Sequence, residues 1–216
     1  VNGRGGMDLD RTVFYPTGGG QPGDTGVLRL ADGSEITVAT TGKGEGPDAV
    51  IHVAAEGQDL PTVGTSVTAA IDWDVRHRLM RIHTCLHLLS SVVEYPVTGG
   101  QISDGKGRLD FDMPEMTVEK EAITARLNEL IEQGHPVSVG WISDDELAAQ
   151  PDLVKTMSVK PPMGQGRVRL IDVDGCDLQP CGGTHVANTS EIGEVRVRKI
   201  EKKGRQNRRI SIEFSE

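Results

Sequence analysis

Two pairs of side chains in this sequence have the types and spacing to hold a metal ion. His83 and His87 stand four apart, and Cys181 and His185 stand four apart within Cys-Gly-Gly-Thr-His. On a helix, residues four apart project from one face about one turn from each other, so both imidazoles can meet a single ion. The two glycines of the second pair allow a tight loop that turns a thiolate and an imidazole the same way. One Cys and three His make a donor set suited to tetrahedral zinc rather than to the oxygen-seeking magnesium or calcium. Four protein ligands would close the site and make it structural. Three ligands plus water would make it catalytic, with the water pKa lowered to about 7, and spacing leaves both readings open.

Neighbouring residues narrow the chemistry. Cys85 lies between the two histidines but projects from the opposite side of a helix, as a small core residue would. Cys176 shares the downstream loop and is the competing thiol, less compactly spaced to His185 than Cys181 is. Positions 84 and 85 are Thr and Cys, so no Glu follows the first His. The His-Glu-x-x-His arrangement of zinc peptidases is absent, which disfavours that class.

The elements that must position these residues fall into two groups. Residues 12–15, 27–30, 36–40, 50–54 and 66–71 are short β-prone runs separated by turn residues, with no helix between them. They predict a small β-barrel or sandwich over residues 1–73. From 74 to 94 the period changes: Leu79, Ile82, Leu86, Leu89 and Val93 recur at helical spacing, with Asp74 placed to cap the start and Pro96 blocking continuation. A second helix is expected over 118–133, capped by Thr117 and closed by Gly134, and a short third over 144–150. Strands return at 168–173, followed by a loop over 174–183 and a hairpin of 194–200 with 209–214. Residues 74–216 therefore read as α+β, with helices resting on an antiparallel sheet.

Composition bounds the function. The 216 residues are 36% hydrophobic and 25% charged, with 27 Gly and 11 Pro against 3% aromatics, a globular and turn-rich profile. No run approaches the roughly 20 apolar residues needed to cross a bilayer, so no membrane partner is expected. Three cysteines in a chain of this length fit a reducing compartment, and the chain reads as cytoplasmic. It opens at Val1 rather than Met, and residues preceding Val1 are expected in the natural protein. The formal net charge of −9 opposes sequence-blind coating of nucleic acid. Charge is uneven, however: Arg196, Arg198, Lys199, Lys202, Lys203, Arg205, Arg208 and Arg209 are opposed in that stretch only by Glu201. It is either a solvated hairpin or a local phosphate-binding patch.

Several motifs together carry a resemblance. His83-Thr-Cys-Leu-His87-Leu-Leu, Gly99-Gly-Gln-Ile102 with Arg108-Leu-Asp-Phe111, Cys181-Gly-Gly-Thr-His-Val186 and Thr189-Ser-Glu-Ile-Gly193 occur in the order of the editing domain of alanyl-tRNA synthetase. The chain resembles that domain and its free-standing AlaX relatives over nearly its whole length. The segment Thr12-Val-Phe-Tyr-Pro-Thr-Gly-Gly-Gly-Gln-Pro-Gly-Asp-Thr-Gly26 is similar to the glycine-rich segment of the longer AlaX forms.

The resemblance implies a small N-terminal β-barrel over 1–73 and an α/β zinc-binding editing domain over 74–216. It implies hydrolysis of the ester in tRNA(Ala) misacylated with serine or, in some members, glycine. His83, His87, Cys181 and His185 would hold Zn2+, which either activates water or orients the terminal adenosine and ester. Gln101 and Thr184 would lie at the pocket beside His83 and His87 as the catalytic set. Gly18, Gly19 and Gly20 would let backbone approach the substrate, and Thr12 or Thr17 would offer a hydroxyl to serine's hydroxyl, a device that discriminates strongly. Lys202, Lys203, Arg205, Arg208 and Arg209 would contact tRNA. With no room after Glu216 for an aminoacylation domain, editing in trans and without ATP is expected.

Competing readings are editing of another misacylated tRNA, since threonyl-tRNA synthetase editing domains share a similar ligand pattern, a tRNA-binding module whose zinc is structural, and a metal-binding protein with no RNA partner. The sequence does not specify an oligomeric state.

Overall fold

The structure, a computed structural model, describes residues 6–46, 48–156 and 166–215. Two compact units divide the chain, Val1–His77 and Arg78–Glu216. Among the described residues no helix is long and apolar enough to cross a membrane.

The first unit is one antiparallel sheet of five strands. These are β1 (Gly6–Asp8), β2 (Gly26–Leu30), β3 (Glu35–Lys43), β4 (Val50–Ala54) and β5 (Val67–Ile71), in the order β1-β4-β3-β2-β5. Met7, Phe14, Leu28, Ile36 and Val38 form its core. Among the described residues no ladder joins the edge strands β1 and β5, so the strand order does not by itself show the expected barrel. Residues 12–15, expected as a strand, are not one: they join no ladder, and their backbone groups bond mostly to side chains, with Tyr15 O also accepting from Asp24 N at 2.9 Å. Tyr15 N donates to Asp24 Oδ2 at 2.5 Å, and Phe14 N donates to Thr12 Oγ1 at 3.1 Å. Asp24 is buried, and its carboxylate also holds the Arg76 guanidinium.

The second unit contains α1 (Trp73–Val92) from Arg78 onward, α2 (Lys120–Gln133), α3 (Asp144–Ala148) and two further antiparallel sheets. One has strands β6 (Val97–Ser103), β7 (Lys106–Asp112), β11 (Val195–Lys203) and β12 (Asn207–Phe214) in the order β11-β12-β7-β6. The other joins β8 (Val137–Ser143), β9 (Arg167–Val173) and β10 (Asp177–Pro180) in the order β10-β9-β8. The α+β reading of this half agrees with that architecture.

Strand alternation sets the layers. In β12 the side chains of Arg208, Ile210, Ile212 and Phe214 are buried while their neighbours are half-buried, and in β7 Gly107, Leu109 and Phe111 are buried. A methyl added at Gly107 would stand 2.7 Å from Ile82 Cγ2, so glycine is what lets α1 lie this close to the sheet. Ile82, His83, Thr84, Cys85, Leu86, His87, Leu88, Leu89 and Ser90 are consecutive and all buried. A helix enclosed on every side must find partners for each polar group it carries, and four of these nine residues are His, Thr or Ser.

Helix ends differ from the sequence reading by small steps. Asp72, not Asp74, caps α1: Val75 N donates to Asp72 Oδ1 at 3.2 Å, the reach a capping residue has and a residue inside the first turn lacks. The residue before α2 is Glu119 rather than Thr117, and its side chain makes no capping bond. Gly134 closes α2 in the left-handed conformation, φ 69°, as expected.

Candidate metal centre

Burial and helical spacing bring the two motifs together. His83 and His87 come from the enclosed stretch of α1, and Cys181 and His185 from the loop that leaves β10. The donor atoms of all four lie within 4.8 Å of one another. Cys181 Sγ is 3.4 Å from His83 Nε2 and 3.3 Å from His185 Nε2. Tetrahedral bonding at about 2.3 Å to sulfur and 2.0–2.1 Å to nitrogen separates such atoms by about 3.5 Å, so these contacts have the scale of ligands around one ion.

On His87 and His185 the nitrogens that point away from the cluster are held. His87 Nδ1 donates to Asp177 Oδ2 at 2.8 Å, which leaves the Nε2 lone pair for the cluster. Asp177 is itself buried, and it accepts from Gln179 Nε2 at 2.7 Å and from the Lys155 ammonium. Gln179 also donates to Ser90 Oγ at 3.1 Å, and Ser90 donates to the carbonyl of His87 at 2.8 Å. His185 Nδ1 lies 3.1 Å from the buried Thr84 hydroxyl, which also accepts from Val186 N at 3.3 Å. Arg169 steadies the loop, donating at 2.8 Å to the carbonyls of both Cys181 and Gly183.

Electrostatics favour a thiolate among imidazoles. Burial pushes the Cys181 thiol up, but the charge on His83 and hydrogen bonds from His185, His83 and His87 outweigh it and hold the group well below its ordinary value. Burial opposes a proton on His87, yet hydrogen bonds with Asp177 and Cys181 and the charges they carry raise its pKa to about 9. Burial, then the charges on His83 and His87, hold His185 well below the usual histidine range. Cys85 is fully buried and its thiol is pushed up to about 12 by that burial alone, as suits a core residue. Cys176 is half-buried in the turn between β9 and β10, outside the four-residue cluster.

The remaining sequence candidates occupy varied places. Thr184 is half-buried between Gly183 and His185 in the same loop. Gln101 lies on β6 opposite Arg108, which donates to its Oε1 at 3.0 Å. Because Gly107 faces α1, Arg108 and Gln101 stand on the opposite side of the sheet. In the first unit, Thr12 Oγ1 lies 2.8 Å from Nε2 of the buried His52. Thr17 is exposed, but its hydroxyl donates to Thr41 O at 2.9 Å and accepts from Gly23 N at 2.9 Å. Gly18 pairs with Gln21 across Gly19 and Gly20, whose φ of 57° and 82° make the two-residue turn that glycine best supports.

Of the basic candidates, Lys202, Lys203 and Arg205 are exposed. Arg209 is bound to Asp110 through two nitrogens, at 2.6 and 2.8 Å. Arg208 is a correction to the reading of an outward basic patch: it is 6% exposed and donates to Pro114 O at 2.6 Å. Strand alternation turns it inward, beside outward Arg209.

Asp177, Thr84, Gln179, Lys155 and Arg169 were missed by sequence reasoning. Thr84 had one available signal, its place between His83 and Cys85 on a helix enclosed all round. For Asp177 there was none, since a carboxylate in a loop reads as solvated until its burial is seen.

Comparisons with known proteins match two family descriptions. Residues 168–211 match the "Threonyl and Alanyl tRNA synthetase second additional domain", and residues 3–75 match "tRNA synthetases class II (A)". The "Alanyl-tRNA editing protein AlaX-M" of Methanosarcina mazei is 36% identical over 94% of this chain and 84% of its own length. The protein of the same description from Pyrococcus horikoshii is 32% identical, with the same coverage. The "Alanine--tRNA ligase, chloroplastic/mitochondrial" of Ostreococcus lucimarinus is 35% identical over 88% of this chain but only 21% of its own length.

Proposed function

This chain belongs to the alanyl-tRNA editing protein family, and from that premise we propose that it is a zinc-dependent deacylase that removes the wrong amino acid from tRNA(Ala) in trans. Serine is the first expected misacylating residue and glycine the second. The observation that carries the proposal is the His83, His87, Cys181 and His185 cluster, in which Asp177 fixes His87 and the Thr84 hydroxyl adjoins His185.

His83, His87, Cys181 and His185 would hold the ion. When bound, zinc supplies Lewis acidity at the ester carbonyl or to a water. Asp177 acts through His87, holding its ring in one tautomer. The Thr84 hydroxyl adjoins His185 Nδ1 and orients its ring, and Arg169 fixes the Cys181–Gly183 backbone by its carbonyls. In this reading Thr184, next to His185, contacts the terminal adenosine and ester, whereas Gln101 stands on the sheet face turned away from α1. The glycine turn Gly18–Gly20, with Thr12 or Thr17, reads serine's hydroxyl. Residues 1–73 act as a small β-barrel domain and 74–216 as the editing domain. The three cysteines, free among the described residues, suit a cytoplasmic setting.

A second reading has a specific observation behind it. Four protein donors are the number of a closed structural zinc site, which would leave a tRNA-binding module without hydrolysis.

Deacylation of Ser-tRNA(Ala), Gly-tRNA(Ala) and Ala-tRNA(Ala) by the purified protein separates the two. Loss of the serine ester, survival of the alanine ester and an inert His83→Ala/His87→Ala protein are expected. Persistence of all three esters with stoichiometric zinc bound would replace the enzyme with the binding module.

A further inference from the structure

The face of the four-stranded sheet turned away from α1 carries a charge arrangement that the metal centre does not use. Three carboxylates on it are each shared by two cations. Asp110 takes Arg209 at 2.6 Å and Arg108 at 2.9 Å. Glu201 takes Lys199 at 2.8 Å and Lys203 at 3.4 Å. Glu213 takes Arg196 at 2.7 Å and, more loosely, Arg198 at 3.7 Å. Each trio therefore keeps one positive charge.

Exposure sharpens this. Asp110 is 17% exposed against 28% and 25% for its arginines, and Glu213 is 23% exposed against 56% and 54%. Glu201 follows the same order, at 30% against 48% and 42%. Solvent thus meets guanidinium and ammonium groups backed by carboxylates. A groove of about 360 Å3 runs over this face, where Lys106 adds a further cation and Gln101, Ser103 and Ser211 add neutral hydrogen-bonding groups.

We infer that this face, lined by Lys106, Arg108, Arg198, Lys199 and Arg209, is the docking surface for the phosphate backbone of RNA, here the acceptor arm of the editing substrate. The inference rests on the proposed editing function for the identity of that RNA. Arginine forks and lysine ammoniums pair with phosphate oxygens, and a cation that already shares its carboxylate can turn to a phosphate without leaving that carboxylate unpaired. The amide and hydroxyls along the groove suit ribose hydroxyls. On a body of net charge −9, a positive face also sets the orientation of approach.

The test uses the full zinc-loaded chain and uncharged tRNA(Ala), with affinity followed by fluorescence anisotropy across a salt series. Lys106→Gln/Arg198→Gln/Lys199→Gln should bind at least about tenfold more weakly near 0.1 M salt. Its slope of log affinity against log salt should be smaller by about 2–3. Should the triple variant fold poorly, each single variant should lower the slope by about 1. Binding by folded triple or single variants that matches the unaltered protein at every salt overturns the docking face. So does a loss of the same size from Arg205→Gln alone, which would move docking to the hairpin turn, and so does an unaltered protein that binds no tRNA. Deacylation is measured separately. A protein that hydrolyses Ser-tRNA(Ala) while the triple variant binds normally keeps its function and loses this surface, and one that binds through this surface without hydrolysis does the reverse.

Discussion

His87 donates its Nδ1 proton to Asp177 Oδ2 at 2.8 Å, and the histidine and its carboxylate are both buried. The contact joins α1 to β10 and decides which imidazole nitrogen is offered to the cluster. In the proposed metal site Asp177 is therefore a positioning residue. Asp177→Asn keeps the shape and removes the charged acceptor, and should weaken zinc binding about 10–100-fold. Competition against a chelator of known affinity measures this. Unchanged zinc affinity in a folded Asp177→Asn protein would remove Asp177 from the site.

Metal binding should release a proton at neutral pH. The metal-free His87 pKa of about 9 lies above its ordinary value, so the ring is charged at pH 7.5 and must lose its proton to ligate. Cys181 is held well below the usual thiol range, so its share of the release is smaller than an ordinary cysteine's. Apparent zinc affinity should thus rise as pH rises toward about 9 and level off above it. Calorimetry in buffers of different ionisation heat should show about one proton released at pH 7.5. Zero protons would contradict the raised His87 value.

Thiol chemistry should report metal removal. Cys85, buried and pushed up to about 12, should stay unmodified by iodoacetamide in the native protein under any condition. Cys181 should be protected with zinc bound and alkylated after chelation. Mass spectrometry of the labelled peptides distinguishes the two, and alkylation of Cys181 at equal rates with and without zinc would count against its ligation.

Gly107→Ala should loosen the packing of α1 on its sheet. The added methyl would stand 2.7 Å from Ile82 Cγ2 and 3.2 Å from Leu86 Cδ1, both in a filled core. Overpacking of this kind costs about 1–3 kcal/mol. Thermal unfolding should show a lower Tm, and because His83 and His87 flank the crowded residues on α1, zinc affinity should fall with it. A Tm equal to that of the unaltered protein would show that α1 shifts without cost.

In the first unit, Asp24→Ala should be severe. It would leave the Arg76 guanidinium without the buried carboxylate that now holds it, a loss of about 3–5 kcal/mol for pairs of this type. Limited proteolysis should then cut within residues 6–77 before the rest of the chain. Equal protease resistance of both proteins would mean that the pair is dispensable.

The candidate ligands were legible because their evidence is local. Helical period put His83 and His87 on one face, and the glycines between Cys181 and His185 announced a loop that could turn two donors together. The same locality explains the misreadings. Residues 12–15 have a strand's composition but spend their backbone bonds on Asp24 and Thr12, contacts set by folding. Arg208 belongs to a basic run in sequence, yet alternation in β12 sends it to the opposite face from Arg209. The order of the five-stranded sheet likewise depends on which edges meet, which short strand patterns do not encode.

By itself, then, the sequence determined the donor types, their spacing, the α+β class of residues 74–216 and the resemblance to alanyl-tRNA editing domains. These are properties of residue identity and near neighbours along the chain. Tertiary structure alone decided that Asp177 and Thr84 would stand behind His87 and His185, and that Arg108 and Arg209 would share Asp110. Each of those pairings joins residues distant in sequence or turned to a particular face, and only packing fixes which polar group loses water and which partner it then meets.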